Sequence, residues 1–95
     1  MMEKGLSAQS KVTVDGGNVA ATMGSGDLQV FATPAMVALM ENAAMKAVAD
    51  HLPEGSTTVG AEMNVTHIKP SGVGAEIVAS AVLTEVEGRK LTFNV

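Results

Sequence analysis

One long helix is the firmest local prediction in this chain, and it limits the folds that the other residues can form. The stretch before Pro53 consists mainly of the helix formers Ala, Met, Leu, Glu and Lys. Thr33 is a good N-cap, and Pro34 fits the first helical position, where its missing N–H costs nothing. We therefore predict a helix over residues 34–52, ended by Pro53.

Strand patterns surround this helix on both sides. Residues 1–10 are polar and are expected to be frayed, and residues 28–31 form a short extended lead-in. Strands are predicted at 11–14, 59–69, 77–86 and 91–95, with a tight hairpin turn at Glu87-Gly88 between the last two. One apolar helix with one antiparallel sheet to cover it predicts an α+β domain in which the sheet wraps around a central helix.

Composition excludes several classes of protein. Ninety-five residues are enough for one domain, so we assign residues 1–95 to a single domain. A net charge of −4 and only two aromatic residues argue against nucleic-acid binding, and the lack of cysteine excludes disulfides and thiolate chemistry. No apolar run is long enough to cross a membrane, and the first residues do not resemble a signal peptide. A cytoplasmic protein is expected.

Glu41 is the residue whose position most needs an explanation. It lies on a helix face shared with Val37 and Met45, and a carboxylate among apolar side chains is costly unless it is paired, protonated or used in chemistry. A structural alternative is a carboxylate that swings to solvent or pairs with Lys69. Considered alone, Glu41 is more often structural than catalytic.

Three other residues have the same two interpretations. His67 is in phase with the apolar residues of its predicted strand, which is compatible with a functional site on that face. A structural histidine in the core or at an interface would have the same placement. Thr33 needs no role beyond capping, and Gly60 could simply begin a strand. One Glu and one His are too few ligands for a metal site, so none is predicted.

The chain's most specific spacings fall in three stretches. Residues 30–41 contain Thr33 and Glu41, residues 58–67 contain Gly60 and His67, and residues 86–91 span the predicted hairpin. Together they resemble the fluoroacetyl-CoA thioesterase family of hotdog-fold proteins. The similarity covers about residues 10–95, and the spacings between the four residues match without gaps.

The resemblance implies a fold, an assembly and roles for individual residues. It implies a hotdog fold, with a long helix cradled by an antiparallel sheet, in homodimers or higher homo-oligomers whose sheets join edge to edge. Thr33, Glu41 and His67 fall on the family's catalytic Thr-Glu-His set, and Gly60 falls on a glycine near the thioester carbonyl. The implied partner is an acyl-CoA substrate; coenzyme A enters only as part of that substrate, and no other cofactor is expected.

Two departures from the family pattern change these expectations. The family's final strand, with its Gly-x-His-x-Arg motif, lies beyond Val95, so we expect a C-terminally shortened chain that lacks the last strand. The aromatic lid residues of the fluoroacetate-specific enzyme have no equivalents, because Gly24 and Asp27 lie in that region. We therefore expect hydrolysis of short or medium acyl-CoA rather than fluoroacetyl selectivity.

Thioester hydrolysis gives these residues a common chemistry. It needs an activated water or a carboxylate nucleophile, and donors for the developing oxyanion. Glu41 could attack to give an anhydride or act as a base, and His67 could deprotonate water and protonate the thiolate. Thr33, two helical turns before Glu41 on nearly the same face, could orient that carboxylate.

Two other functions are compatible with the same sequence. The first is a non-catalytic hotdog module that binds an acyl-thioester or a partner through its dimer interface. The second is a hotdog lyase acting on enoyl thioesters, although the local Asp-His pair usual in such sites is not seen. Binding of CoA without turnover would favour the module, and hydration without release of thiol would favour the lyase.

Overall fold

A long helix lies against a three-stranded antiparallel sheet, as the sequence predicts. The structure, a computed structural model, describes residues 2–95. In chain order the elements are β1 (Ser7–Thr13), α1 (Ala20–Met23), α2 (Thr33–Val48), a 3₁₀ turn (Ala49–His51), β2 (Glu76–Glu87) and β3 (Lys90–Asn94). The strand order is β1-β2-β3. The prediction of an α+β fold is confirmed, and the helix and the three-stranded sheet together form a partial hotdog fold.

The strand β2 is the centre of the sheet. It pairs antiparallel with β1, with Ser7 opposite Val82, and antiparallel with β3, with Glu87 opposite Lys90. The hairpin loop is Gly88-Arg89, one residue later than predicted, and Gly88 has a φ of 63°. A positive φ at the first loop position is what a two-residue hairpin requires, and glycine adopts it at no steric cost.

Small side chains let α2 lie close to the sheet. The alternate β2 residues Ala79, Ala81 and Leu83 are buried, and the buried helix residues that pack on them are short or β-branched: Ala43, Ala47 and Val48. Three clusters of buried residues run along the sheet: Val14 with Val19 and Phe31; Ala43 with Ala79 and Ala81; Ala47 with Val48 and Leu83. The apolar contact between helix and sheet therefore extends along the length of α2.

The helix prediction is confirmed, but its N-cap is wrong. The helix begins at Thr33 rather than after it, and Ala32 is the N-cap, with no side-chain hydrogen bond. Pro34 still lies in the first turn. The Thr33 hydroxyl is consequently not used in capping and is available for another partner.

Two predictions about the strands are wrong. Residues 7–10 are not frayed, because they form the first half of β1 and pair with β2. Residues 59–69 do not form a regular strand. They belong to an irregular segment, residues 57–70, that has no backbone–backbone hydrogen bond to any other described residue. This 57–70 segment crosses the face of α2 that points away from the sheet, and its strand pattern lacks a neighbouring strand to pair with.

Candidate active site

Thr33 and His67 form a hydrogen-bonded pair at the N-terminus of α2. Thr33 Oγ1 lies 2.7 Å from His67 Nδ1, and His67 is partly buried. The contact joins the first turn of the helix to the end of the 57–70 segment, 34 residues further along the chain. With Nδ1 engaged, the orientation of the ring is fixed and Nε2 is the nitrogen left to exchange a proton.

The pair borders an open cavity of about 330 Å³. Ala20 and Phe31 contribute buried apolar side chains to this first cavity, and Val30 and Leu28 add to its apolar surface. Its polar lining, besides Thr33 and His67, comes from the loop between the two helices: Ser25 and Asp27. Neither residue was predicted from the sequence to line a cavity.

Glu41 packs against Gly60 at the other end of the same segment. The Glu41 carboxylate fills the space that a Cβ on Gly60 would occupy. The two residues border a second cavity of about 330 Å³, together with Ala38, Asn42, Met45 and Thr58. Glycine at position 60 is therefore needed for room rather than for an unusual backbone angle, since its φ is not positive.

The structure does not bring the three predicted catalytic residues together within one chain. Thr33 and Glu41 are eight residues apart, which is about 12 Å along a helix, and they border different cavities. Within one chain the Thr33 hydroxyl does not orient Glu41 as predicted, because it bonds His67. The structure therefore pairs Thr33 with His67 and Glu41 with Gly60.

Glu41 is also less enclosed than its sequence context suggests. Its side chain is exposed, and so is that of Met45, one helical turn later on the same face. The polar residues Asn42 and Lys46 of α2 contact β1. The Ser10 hydroxyl donates to Asn42 Oδ1 at 2.6 Å, and Lys46 Nζ donates to the carbonyl of Gln9 at 2.8 Å.

Residues 2–95 contain neither a cluster of metal ligands nor a membrane-spanning helix. No group of three or more His, Asp or Glu side chains there could hold a metal ion. No helix in that part of the chain is long and apolar enough to cross a membrane.

Comparison with known proteins identifies the family. The model of the fluoroacetyl-CoA-specific thioesterase family matches residues 14–95, which is most of the chain. This chain belongs to that family. Among curated proteins, the fluoroacetyl-CoA thioesterase of Streptantibioticus cattleyicolor is 40% identical over 67 residues, covering 70% of this chain and 48% of that protein. The chain thus spans about half the length of the curated relative it matches.

Solved structures of the fluoroacetyl-CoA thioesterase have the same fold. One superimposes with a TM-score of 0.88 at 29% identity, covering 98% of this chain and 73% of that one. A variant in complex with fluoroacetate and CoA gives a TM-score of 0.89 at 30% identity, covering 97% of this chain and 78% of that one. Nearly the whole chain therefore superimposes on this thioesterase fold.

Proposed function

We propose that this protein hydrolyses short or medium acyl-CoA thioesters, with Thr33, Glu41 and His67 as catalytic residues and Gly60 in substrate binding. The observation that carries the proposal is the Thr33–His67 hydrogen bond of 2.7 Å, placed on an open cavity with an apolar floor. Family membership supplies the substrate class, because the relatives are thioesterases of an acyl-CoA. Selectivity for fluoroacetyl is not part of the proposal.

The hydrolysis can be written with these side chains alone. Water attacks the thioester carbonyl carbon, the carbon–sulfur bond breaks, and the proton released by water passes to the departing thiolate. His67, held by Thr33, carries that proton through Nε2. Alternatively Glu41, rather than His67, accepts the proton from water. In a third route Glu41 attacks the carbonyl carbon itself, the carbon–sulfur bond breaks, and His67 protonates the thiolate; water then opens the anhydride and returns a proton to His67. No separate cofactor is needed, because CoA arrives with the substrate.

The developing oxyanion needs hydrogen-bond donors. The first turn of any helix has backbone N–H groups without acceptors inside the helix, and the positive end of the helix dipole adds to their attraction for an anion. Thr33 begins α2 at the edge of the first cavity, so such donors lie beside the His67 ring. Backbone N–H groups near Gly60 are the alternative, since no backbone partner occupies them within residues 2–95.

We further propose that the working form is a homodimer, because a dimer can join the two halves of the site. The 57–70 segment runs past α2 with Gly60 beside Glu41 and His67 beside Thr33. Two copies that pair this segment antiparallel would be related by a two-fold axis near Met63 and Asn64, midway between positions 60 and 67. Glu41 of one copy would then approach the Thr33–His67 pair of the other.

The direct test is the replacement of the acid–base groups. Glu41→Gln and His67→Ala should each lower kcat/KM on the best acyl-CoA by about 100-fold or more, the usual effect of removing such a group. Glu54→Gln and His51→Ala make the same chemical changes at exposed positions outside both cavities, and these controls should keep full activity.

Each result of this test has a distinct interpretation. Wild-type turnover in both Glu41→Gln and His67→Ala would show that the catalytic assignment is wrong. Calorimetric binding of CoA with no turnover across a broad acyl-CoA panel would instead favour a binding module. Free thiol release, followed with a thiol reagent, distinguishes hydrolysis from hydration of an enoyl thioester.

A further inference from the structure

The loop between α1 and α2 places an acidic group in the first cavity. Asp27 lines this cavity together with Thr33 and His67, and Ser25 lies beside it on the same loop. Among residues 2–95, Asp27 is the only acidic residue in the lining, and no Lys or Arg of that range lies there to neutralise it. The cavity therefore has a proton-transfer pair, an apolar floor and one negatively charged wall.

An acyl chain in this cavity would extend from the catalytic pair toward that wall. The thioester carbonyl must lie near His67 for proton transfer, so the rest of the acyl group occupies the remaining volume. A cavity of about 330 Å³ equals roughly eleven water volumes, which is room for a short acyl chain with a polar end. The groups available to that end are the Asp27 carboxylate and the Ser25 hydroxyl.

We propose that Asp27 determines acyl specificity: it excludes acyl groups that end in a carboxylate and favours those that end in a hydrogen-bond donor, an ammonium or hydroxyl group. This inference rests on the proposed thioesterase function. The physical basis is Coulombic, because like charges sharing a cavity of this size repel each other and opposite charges attract. Asp27 is exposed, so solvent reduces the effect to about 10-fold in each direction at low salt.

Three substrates of matched length measure this effect. Butyryl-CoA ends in a methyl group, β-alanyl-CoA replaces that methyl with an ammonium group of nearly the same size, and succinyl-CoA replaces it with a carboxylate. For the wild type in about 10 mM salt, we expect kcat/KM to be lowest for succinyl-CoA by about 10-fold or more and highest for β-alanyl-CoA. Raising the salt to about 0.5 M should reduce the differences in kcat/KM among the three substrates.

Asp27→Asn tests the assignment, because it removes the charge and keeps the shape. It should reduce the β-alanyl to succinyl ratio of kcat/KM by about 100-fold, because this ratio contains the effect of the charge on both substrates. The control Asp50→Asn removes the same charge from the exposed 3₁₀ turn, outside both cavities, and should leave the ratio unchanged. An unchanged ratio in Asp27→Asn, or an equal change in Asp50→Asn, would overturn the proposal.

The readout separates this proposal from the proposed function. If the wild type binds the three thioesters without hydrolysing them, thioesterase function fails, and the same ratio taken from calorimetric Kd values tests Asp27 alone. If it hydrolyses them and the ratio does not respond to Asp27→Asn, hydrolysis stands and the specificity role fails. If it neither binds nor hydrolyses them, both proposals are wrong.

Discussion

At the scale of single residues, the absence of a side chain at Gly60 makes room for the Glu41 carboxylate. The Glu41 carboxylate occupies the volume of the missing side chain, so it rests directly on the backbone of the 57–70 segment. An exposed carboxylate at the end of a flexible side chain has many rotamers, and this contact limits them. Glycine is thus needed at position 60 to make room for the Glu41 carboxylate, and not to allow an unusual backbone conformation.

Gly60→Ala should therefore lower activity more than stability. The new Cβ would push the Glu41 carboxylate aside, and a displacement of about 1 Å at a catalytic group costs roughly 10- to 100-fold in kcat. Because the displaced atoms are the end of a flexible side chain, we expect the free energy of unfolding to change by less than about 1 kcal/mol. Steady-state kinetics and urea denaturation measure the two effects.

Gly16→Ala is the matched control for this prediction. Gly16 also has no positive φ, and a Cβ there meets no heavy atom within 4 Å. The kcat/KM of the Gly16→Ala variant should equal that of the wild type. Equal losses of activity in the two variants, or a Gly60→Ala enzyme with full activity, would contradict a positioning role for the contact.

At the scale of elements, α2 is held by two different faces. Its small and branched residues pack on β2, while Asn42 and Lys46 bond to β1 through Ser10 and the carbonyl of Gln9. The polar bonds fix the rotation of the helix about its axis, which apolar packing of alanines alone specifies weakly. That rotation directs Glu41 toward the 57–70 segment.

Ser10→Ala should destabilise the fold at this helix–strand contact. Ser10 is only 5% exposed, and its hydroxyl is the donor of a 2.6 Å bond to Asn42. Loss of such a bond costs about 1 kcal/mol, with the freed Asn42 oxygen turning to water. Chemical denaturation should show this loss. Ser80→Ala, which removes an exposed hydroxyl bonded to Gln9 at 2.9 Å, should change stability by less than ~0.5 kcal/mol.

At the scale of the whole molecule, the single chain is extended and incompletely paired. Its radius of gyration is 14.6 Å, whereas a compact domain of this length is expected near 12.4 Å. Val59 and Ile68, at the two ends of the 57–70 segment, are each 87% exposed, and the segment's backbone makes no ladder bonds within residues 2–95. Unpaired backbone beside exposed branched side chains is an edge that a second strand can cover.

Subunit mixing tests whether a second copy completes the site. If Glu41 of one copy works with His67 of the other, a heterodimer of the Glu41→Gln and His67→Ala chains has one intact site. Mixing the two inactive variants by denaturation and refolding should then recover about a quarter of wild-type activity, since half the dimers are mixed and each has one of two sites. No recovery, with mixed dimers demonstrated by mass spectrometry, would show that the site is not shared in this way.

Much of the fold could be predicted from local sequence. The α2 helix and the β2–β3 hairpin follow from helix formers, period-two alternation and a turn glycine, because these signals depend only on near neighbours in the chain. The strand predicted at 59–69 is absent for the opposite reason. The strand pattern is present in the sequence, but a strand forms only when a neighbouring strand accepts its hydrogen bonds, and that depends on residues far away in the chain.

The sequence by itself determined the class of fold, the family and the identity of the four candidate residues. Spacing along the chain carries that information. The tertiary structure alone decided which residues meet: Thr33 bonds His67 rather than Glu41, Glu41 rests on Gly60, and Asp27 lines the same cavity as Thr33 and His67. These contacts join positions up to 34 residues apart, so they depend on how the 57–70 segment crosses α2 rather than on any local pattern.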